Sequence, residues 1–174
     1  MRRFLFTSLL LGTAMLANAQ GTPPDVPEKI KAPSGEQVVL QVHATGWQIY
    51  VCQQDPYQRY GWVLKAPDAE LHDAKGAVVG HHFAGPSWKL DDGSTVTGKA
   101  VGKADSPDPN SIPWLLVNVV SHSGEGTLSK VTSIQRINTK GGLPPANNQC
   151  TSVNQGGEAK SPYTADYYFY APAK

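Results

Sequence analysis

The 174-residue chain has little of what usually announces chemistry. It holds only two cysteines, Cys52 and Cys150, so there is no C-x-x-C motif from which to build a zinc site or a dithiol redox pair. No G-x-G-x-x-G follows a strand, which excludes a dinucleotide-binding fingerprint, and no G-x-S-x-G elbow offers a hydrolase nucleophile. The five histidines include no His-x-His pair and no pair spaced for one face of a helix. Charged residues make up 17% of the chain and form no run of one sign. That removes the electrostatic case for a nucleic acid or an anionic lipid surface as partner. Amphipathic helical windows with proper caps are also missing.

The one long apolar run stands at the start. Arg2 and Arg3 precede a mostly apolar stretch over residues 4–17, and Ala17-Asn18-Ala19 follows with small residues where a signal peptidase reads them. At about 14 residues the run falls short of the ~20 that a membrane-spanning helix needs. Residues 1–19 therefore read as a signal peptide cleaved near Ala19, and the protein as secreted or periplasmic with no membrane span in the mature chain. The chain carries 15 basic and 14 acidic residues; removing the two arginines of the peptide leaves 13 against 14, a net −1. In an oxidising compartment two cysteines usually pair, so a Cys52–Cys150 disulfide is expected. It would close a loop of roughly 100 residues, worth up to ~4.7 kcal/mol by chain entropy, and would take both thiols out of any catalytic scheme.

Residues 20–35 are punctuated by Gly21, Pro23, Pro24, Pro27, Pro33 and Gly35, and read as a leader that is extended over the surface or disordered. From there to residue 174 period-two patterning dominates, giving one β domain over 36–174. Short strands are expected at 38–42, 46–53, 60–65, weakly at 69–72, and at 78–83, 87–90, 94–100, 112–121, 130–139 and 163–170. Turn residues Asp73 to Gly76 and Asp91-Asp92-Gly93 predict two hairpins. Trp114 to Val120 reads as a central strand buried on both faces. The fold class is all-β: an antiparallel sandwich or barrel-like single domain of about nine short strands with little or no helix. A membrane barrel fits less well, because several strands are too short.

A set of motifs runs through this domain: Gly46-x-Gln48-Ile49-Tyr50-x-Cys52, His82-Phe83-Ala84-Gly85-Pro86-Ser87-Trp88, Asp92-Gly93-Ser94-x-Val96-x-Gly98, and Ile112-Pro113-Trp114-Leu115-Leu116. Ile134 to Gly142, Cys150 and Tyr163 to Tyr170 complete it. Together they resemble a secreted family known as the domain of unknown function 3455 family, over essentially the whole mature domain. The resemblance implies a secreted or periplasmic protein and no activity.

Candidate chemistry is sparse. His72 with one of His81 or His82 forms a weak metal site, since adjacent strand residues point to opposite faces. Ser121-His122-Ser123 sets hydroxyls beside an imidazole, but adjacency does not make a triad. Asp166 lies among the aromatics of the last strand. Arg136, in a β-branched strand, suits a buried carboxylate pair or, less favoured, an anion site. The aromatic residues suggest a binding face instead. Trp114 reads as core, and Trp47 and Trp62 have the same bland reading; Trp88, beside Gly85-Pro86, is the candidate to line a groove. The candidate binding set is Trp88, His82, Trp62, Tyr60 and Asp166, with no cofactor called for. The expectation is a disulfide-stabilised, non-catalytic module for a carbohydrate, small ligand or envelope partner. The alternative is a small metal-dependent or hydrolytic enzyme using His72, one of His81 or His82, and an acid.

Overall fold

The computed structural model describes residues 21–174, so the signal-peptide reading of residues 1–19 lies outside the described residues. Eight antiparallel strands follow one another around a closed, barrel-like ring. They are β1 (Glu36–Gln54), β2 (Tyr60–His72), β3 (Val78–Phe83), β4 (Ser87–Leu90), β5 (Thr95–Ala104), β6 (Trp114–Ser123), β7 (Ser133–Gly141) and β8 (Glu158–Pro172), and β8 closes back onto β1. Among the described residues the only helical pieces are single 3-10 turns.

The strands are fewer and longer than their short apolar runs suggest. The segments at 38–42 and 46–53 are one strand of 19 residues, because β1 pairs with β2 on one side and β8 on the other through the intervening polar residues. The segments at 60–65 and 69–72 likewise join through Pro67 into β2. Pro67 pairs with Gln48 of β1, while β3 meets β2 only from Ala69 to His72. The missing proline N–H therefore falls where no neighbouring strand needs it. Both predicted hairpin turns are present.

Alternate residues face the interior. Val42, Ala44, Leu71, Trp88, Val96, Val117, Ile134, Tyr167 and Phe169 form the main core, while Gln41, His43, Thr45, Glu70 and Lys89 are exposed. A packed apolar inside is unlike the polar interior of a membrane barrel. Among the described residues no helix is long and apolar enough to cross a membrane.

The strand β6 is not buried on both faces along its length. Val117 is buried on the inside, but Asn118, Val120 and His122 are exposed. Its continuous apolar signal has a local cause. Trp114 and Leu116 point outward under the leader, where Val26, Ile30, Ala104 and Ile137 form a second cluster. The leader thus lies on the barrel wall. Gln135 Nε2–H donates to the Ile30 carbonyl at 2.6 Å, and the Tyr170 hydroxyl donates to Gln135 Oε1. Gly102 permits this approach, since a Cβ there would stand 2.3 Å from the Lys29 carbonyl oxygen.

Cys52 of β1 and Cys150, in the loop before β8, form the expected disulfide with their Cα atoms 5.4 Å apart. It fastens that loop to the end of the ring where β1 turns into β2.

Candidate functional site: a side opening in the barrel

The β3–β4 hairpin is short, and that shapes the site. β2 has no β3 partner before Ala69, and β5 has no β4 partner after Thr97. Between these two unpaired stretches the wall is open, and the hairpin tip at Gly85-Pro86 closes one end, anchored by Gly98 N–H donating to the Pro86 carbonyl at 3.0 Å. A cavity of about 640 Å³ lies behind the opening. Its rim is Leu64 to Pro67 on one side and Gly98 to Ala100 on the other; its depth holds Gln48, His82, Trp88, Leu115, Val117, Arg136 and Tyr167. A volume of this size suits a small organic ligand.

Strand register explains the floor. Leu115, Arg136 and Tyr167 are cross-strand neighbours on β6, β7 and β8, and His82 is opposite Trp88 on β3 and β4. The His82 ring stacks on the Trp88 indole, and Tyr167 meets both edge-on at 5.2 and 5.6 Å between centroids. Glycine at position 98 leaves room for this packing, because a Cβ there would fall 2.3 Å from Val117 Cγ1.

The polar groups in the wall are the unusual feature. Gln48 Nε2, Trp88 Nε1, Arg136 Nε and the Tyr167 hydroxyl are buried without a hydrogen-bond partner, and the Tyr163 hydroxyl shares that state nearby. Gln48, Trp88 and Tyr167 are each no more than 2% exposed. These side chains stand close enough to interact with one another, Tyr163 with Tyr167 and Gln48, and Tyr167 with Arg136, while burial is the largest influence and pushes both phenols up.

The charge balance of the cavity is one-sided. Arg136 donates through Nη2 to the Pro113 carbonyl at 2.9 Å, and the expected carboxylate partner is not there: no ion pair involves it among the described residues, and the cavity lining contains no acid. Its field reaches Tyr50, His82, Tyr163 and Tyr167, favouring the deprotonated form of each. Lys65 and Lys99 stand at the rim, Lys65 paired with Glu158. Burial pushes His82 down to about 3, so its ring is neutral. Nδ1–H donates to the Ser87 carbonyl at 2.8 Å, which leaves Nε2 as an acceptor.

The candidate binding residues divide among three places. Trp88 and His82 share the cavity. Trp62 and Tyr60 line a shallower depression with Arg59 and Asp55 at the β1–β2 end. Asp166 faces outward, accepting from Asn138 Nδ2–H at 2.8 Å and pairing with His43 at 2.7 Å. Sequence reasoning missed Gln48 and Tyr167, whose inward position follows from the alternation in β1 and β8. Two tryptophans differ in exposure from their sequence readings, Trp88 as the groove-lining residue and Trp47 as core. Trp88 is 1% exposed, whereas Trp47 is 42% exposed in an outer groove with Asp68, Glu70, His81 and Lys140.

The weak metal candidates separate as strand geometry requires. His82 points inward and His81 outward, while His72 sits 3.6 Å from Glu70. Among the described residues no group of three or more His, Cys, Asp or Glu side chains could hold a metal. His122 uses Nε2 on the Val131 carbonyl at 2.7 Å.

The model of a family described as a protein of unknown function (DUF3455) matches residues 33–171, nearly the whole described domain. The chain belongs to this family. No curated protein and no solved structure matches it. The family description carries no activity, so the DUF3455 domain has to be read from its own cavity.

Proposed function

We propose that this protein is an exported, disulfide-stabilised binding module that takes a small, partly apolar ligand into the side opening of its barrel. The observation that carries this reading is the cavity itself, about 640 Å³ with a mostly apolar lining and the Arg136 guanidinium in its depth with no acid to pair it. A guanidinium in such a wall is normally paired, and a ligand that accepts hydrogen bonds would pair this one. Leu64, Pro86, Leu115 and Val117 supply apolar contact for the rest of the molecule. The disulfide and the N-terminal sequence support export.

The test is titration of the purified protein with Nile red, a neutral apolar fluorophore. Saturable binding is expected, and Ala100→Trp, at the rim of the opening, should weaken it at least tenfold without lowering the melting temperature. Unchanged binding in that variant would overturn the reading.

A carbohydrate reading rests on a different place. Trp47 exposes its indole beside Asp68 and Glu70 in the outer groove of about 690 Å³, an arrangement suited to stacking against a sugar. It predicts glycan-array signal that Trp47→Ala abolishes and Ala100→Trp leaves intact.

A further inference from the structure

We infer that the ligand is an organic monocarboxylate whose carboxylate enters the cavity and pairs with Arg136. The inference rests on the cavity reading above and adds the chemistry of the head group. The Arg136 guanidinium is the charged group in the depth of the cavity, and it can only donate hydrogen bonds. Such a group selects an oxygen-rich acceptor. The sign of the charge follows from Arg136. A guanidinium in an apolar wall is costly unless an anion meets it, and the cavity lining offers no acidic side chain.

The amount of charge follows from counting cations. Arg136 is the only cation in the depth of the cavity; at the rim Lys65 is engaged by Glu158 and Lys99 is exposed to solvent, and His82 is neutral. One buried cation balances one negative charge, which favours a carboxylate over a phosphate dianion. The planar guanidinium also matches a carboxylate, although Nη2 is partly committed to the Pro113 carbonyl. Leu64, Pro86, Leu115 and Val117 then surround an apolar tail directed toward the opening.

Matched probes on the unmodified protein decide the matter. Octanoate, octan-1-ol and octyl phosphate are compared as competitors of Nile red at pH 7. Octanoate should displace the fluorophore at least tenfold more effectively than octan-1-ol, and more effectively than octyl phosphate. Arg136→Gln should abolish the preference for octanoate over octan-1-ol while Nile red still binds, and Arg136→Lys should restore part of it. Equal displacement by octanoate and octan-1-ol, or tighter binding of octyl phosphate, would overturn the carboxylate assignment and leave the cavity reading standing. Failure of Nile red itself to bind would overturn both. Should Arg136→Gln fail to fold, the octanoate-to-octanol ratio on the unmodified protein still decides.

Discussion

The imidazole of His82 lies almost flat on the indole of Trp88, with ring centroids 4.3 Å apart and planes 10° from parallel. This stack forms the floor of the cavity and is fully buried, so protonating His82 means placing a charge in an apolar interior near the Arg136 guanidinium. The folded-state pKa is lowered from 6.5 to about 3, with desolvation the largest cause. The unfolded chain therefore takes up the proton first. The contribution to stability is complete above about pH 6.5 and declines as pH falls toward 3, by at most ~1.4 kcal/mol per pH unit for one proton. Urea midpoints measured between pH 7 and pH 4 should fall accordingly. His82→Gln should flatten that slope; an unchanged slope would assign the acid sensitivity to other groups.

The leader should behave as a structural strap. Ile30 is fully buried against Val26, Ala104 and Ile137, and its carbonyl accepts from Gln135. Ile30→Ala is expected to cost about 2–5 kcal/mol, the range for removing a buried aliphatic side chain. Gln135→Ala should add to protease sensitivity around residues 21–33, because it frees the Ile30 carbonyl and strips the Tyr170 hydroxyl of its acceptor. Chemical denaturation and limited proteolysis read the two effects separately.

Replacing Cys52 and Cys150 together by serine should lower stability by about 2–4 kcal/mol, the usual contribution of a bridge closing a long loop. The loss should be local in its first consequences. Hydrogen exchange should rise over residues 147–157, where short 3-10 turns hold few apolar contacts of their own, before it rises in β5 and β6. Uniform acceleration across all strands would show that the bridge stabilises the whole ring rather than this corner.

Period-two alternation and turn chemistry made most of the strands legible, since each depends on residues close in sequence. Strand length was not legible. Whether residues 38–42 and 46–53 join depends on β8 pairing along both, and that partner lies more than 100 positions away. Trp88 and Trp47 show the same limit within the site. A Gly-Pro step beside Trp88 suggested a groove, and there is one, but the indole forms its buried floor because β3 and β4 end early. Trp47 stands next to Gly46 on a strand whose inward positions are Ala44, Gln48 and Tyr50, so alternation places it outside. Arg136 was visible as an unusual residue; the lack of an acid around it required the closed ring.

Asp92 should act as the clasp between two loops. Its carboxylate accepts from Ser94 N–H at 2.9 Å, from the Ser94 hydroxyl at 2.6 Å and from Thr127 N–H at 2.7 Å, joining the β4–β5 turn to the β6–β7 connection. The Ser94 hydroxyl in turn accepts from Leu128 N–H, and Leu128 is fully buried. These donors, the Ser94 hydroxyl first, hold the Asp92 carboxyl well below the usual carboxylate range. Because the folded pKa is depressed, this stabilisation is present above about pH 4 and is lost as pH falls through the folded value. Asp92 is exposed to solvent, so the effect is discounted to about 1 kcal/mol for Asp92→Asn at neutral pH. The difference between the unmodified protein and the variant should narrow below pH 3. A difference that stays constant down to pH 2 would assign the cost to altered loop geometry and not to the charge.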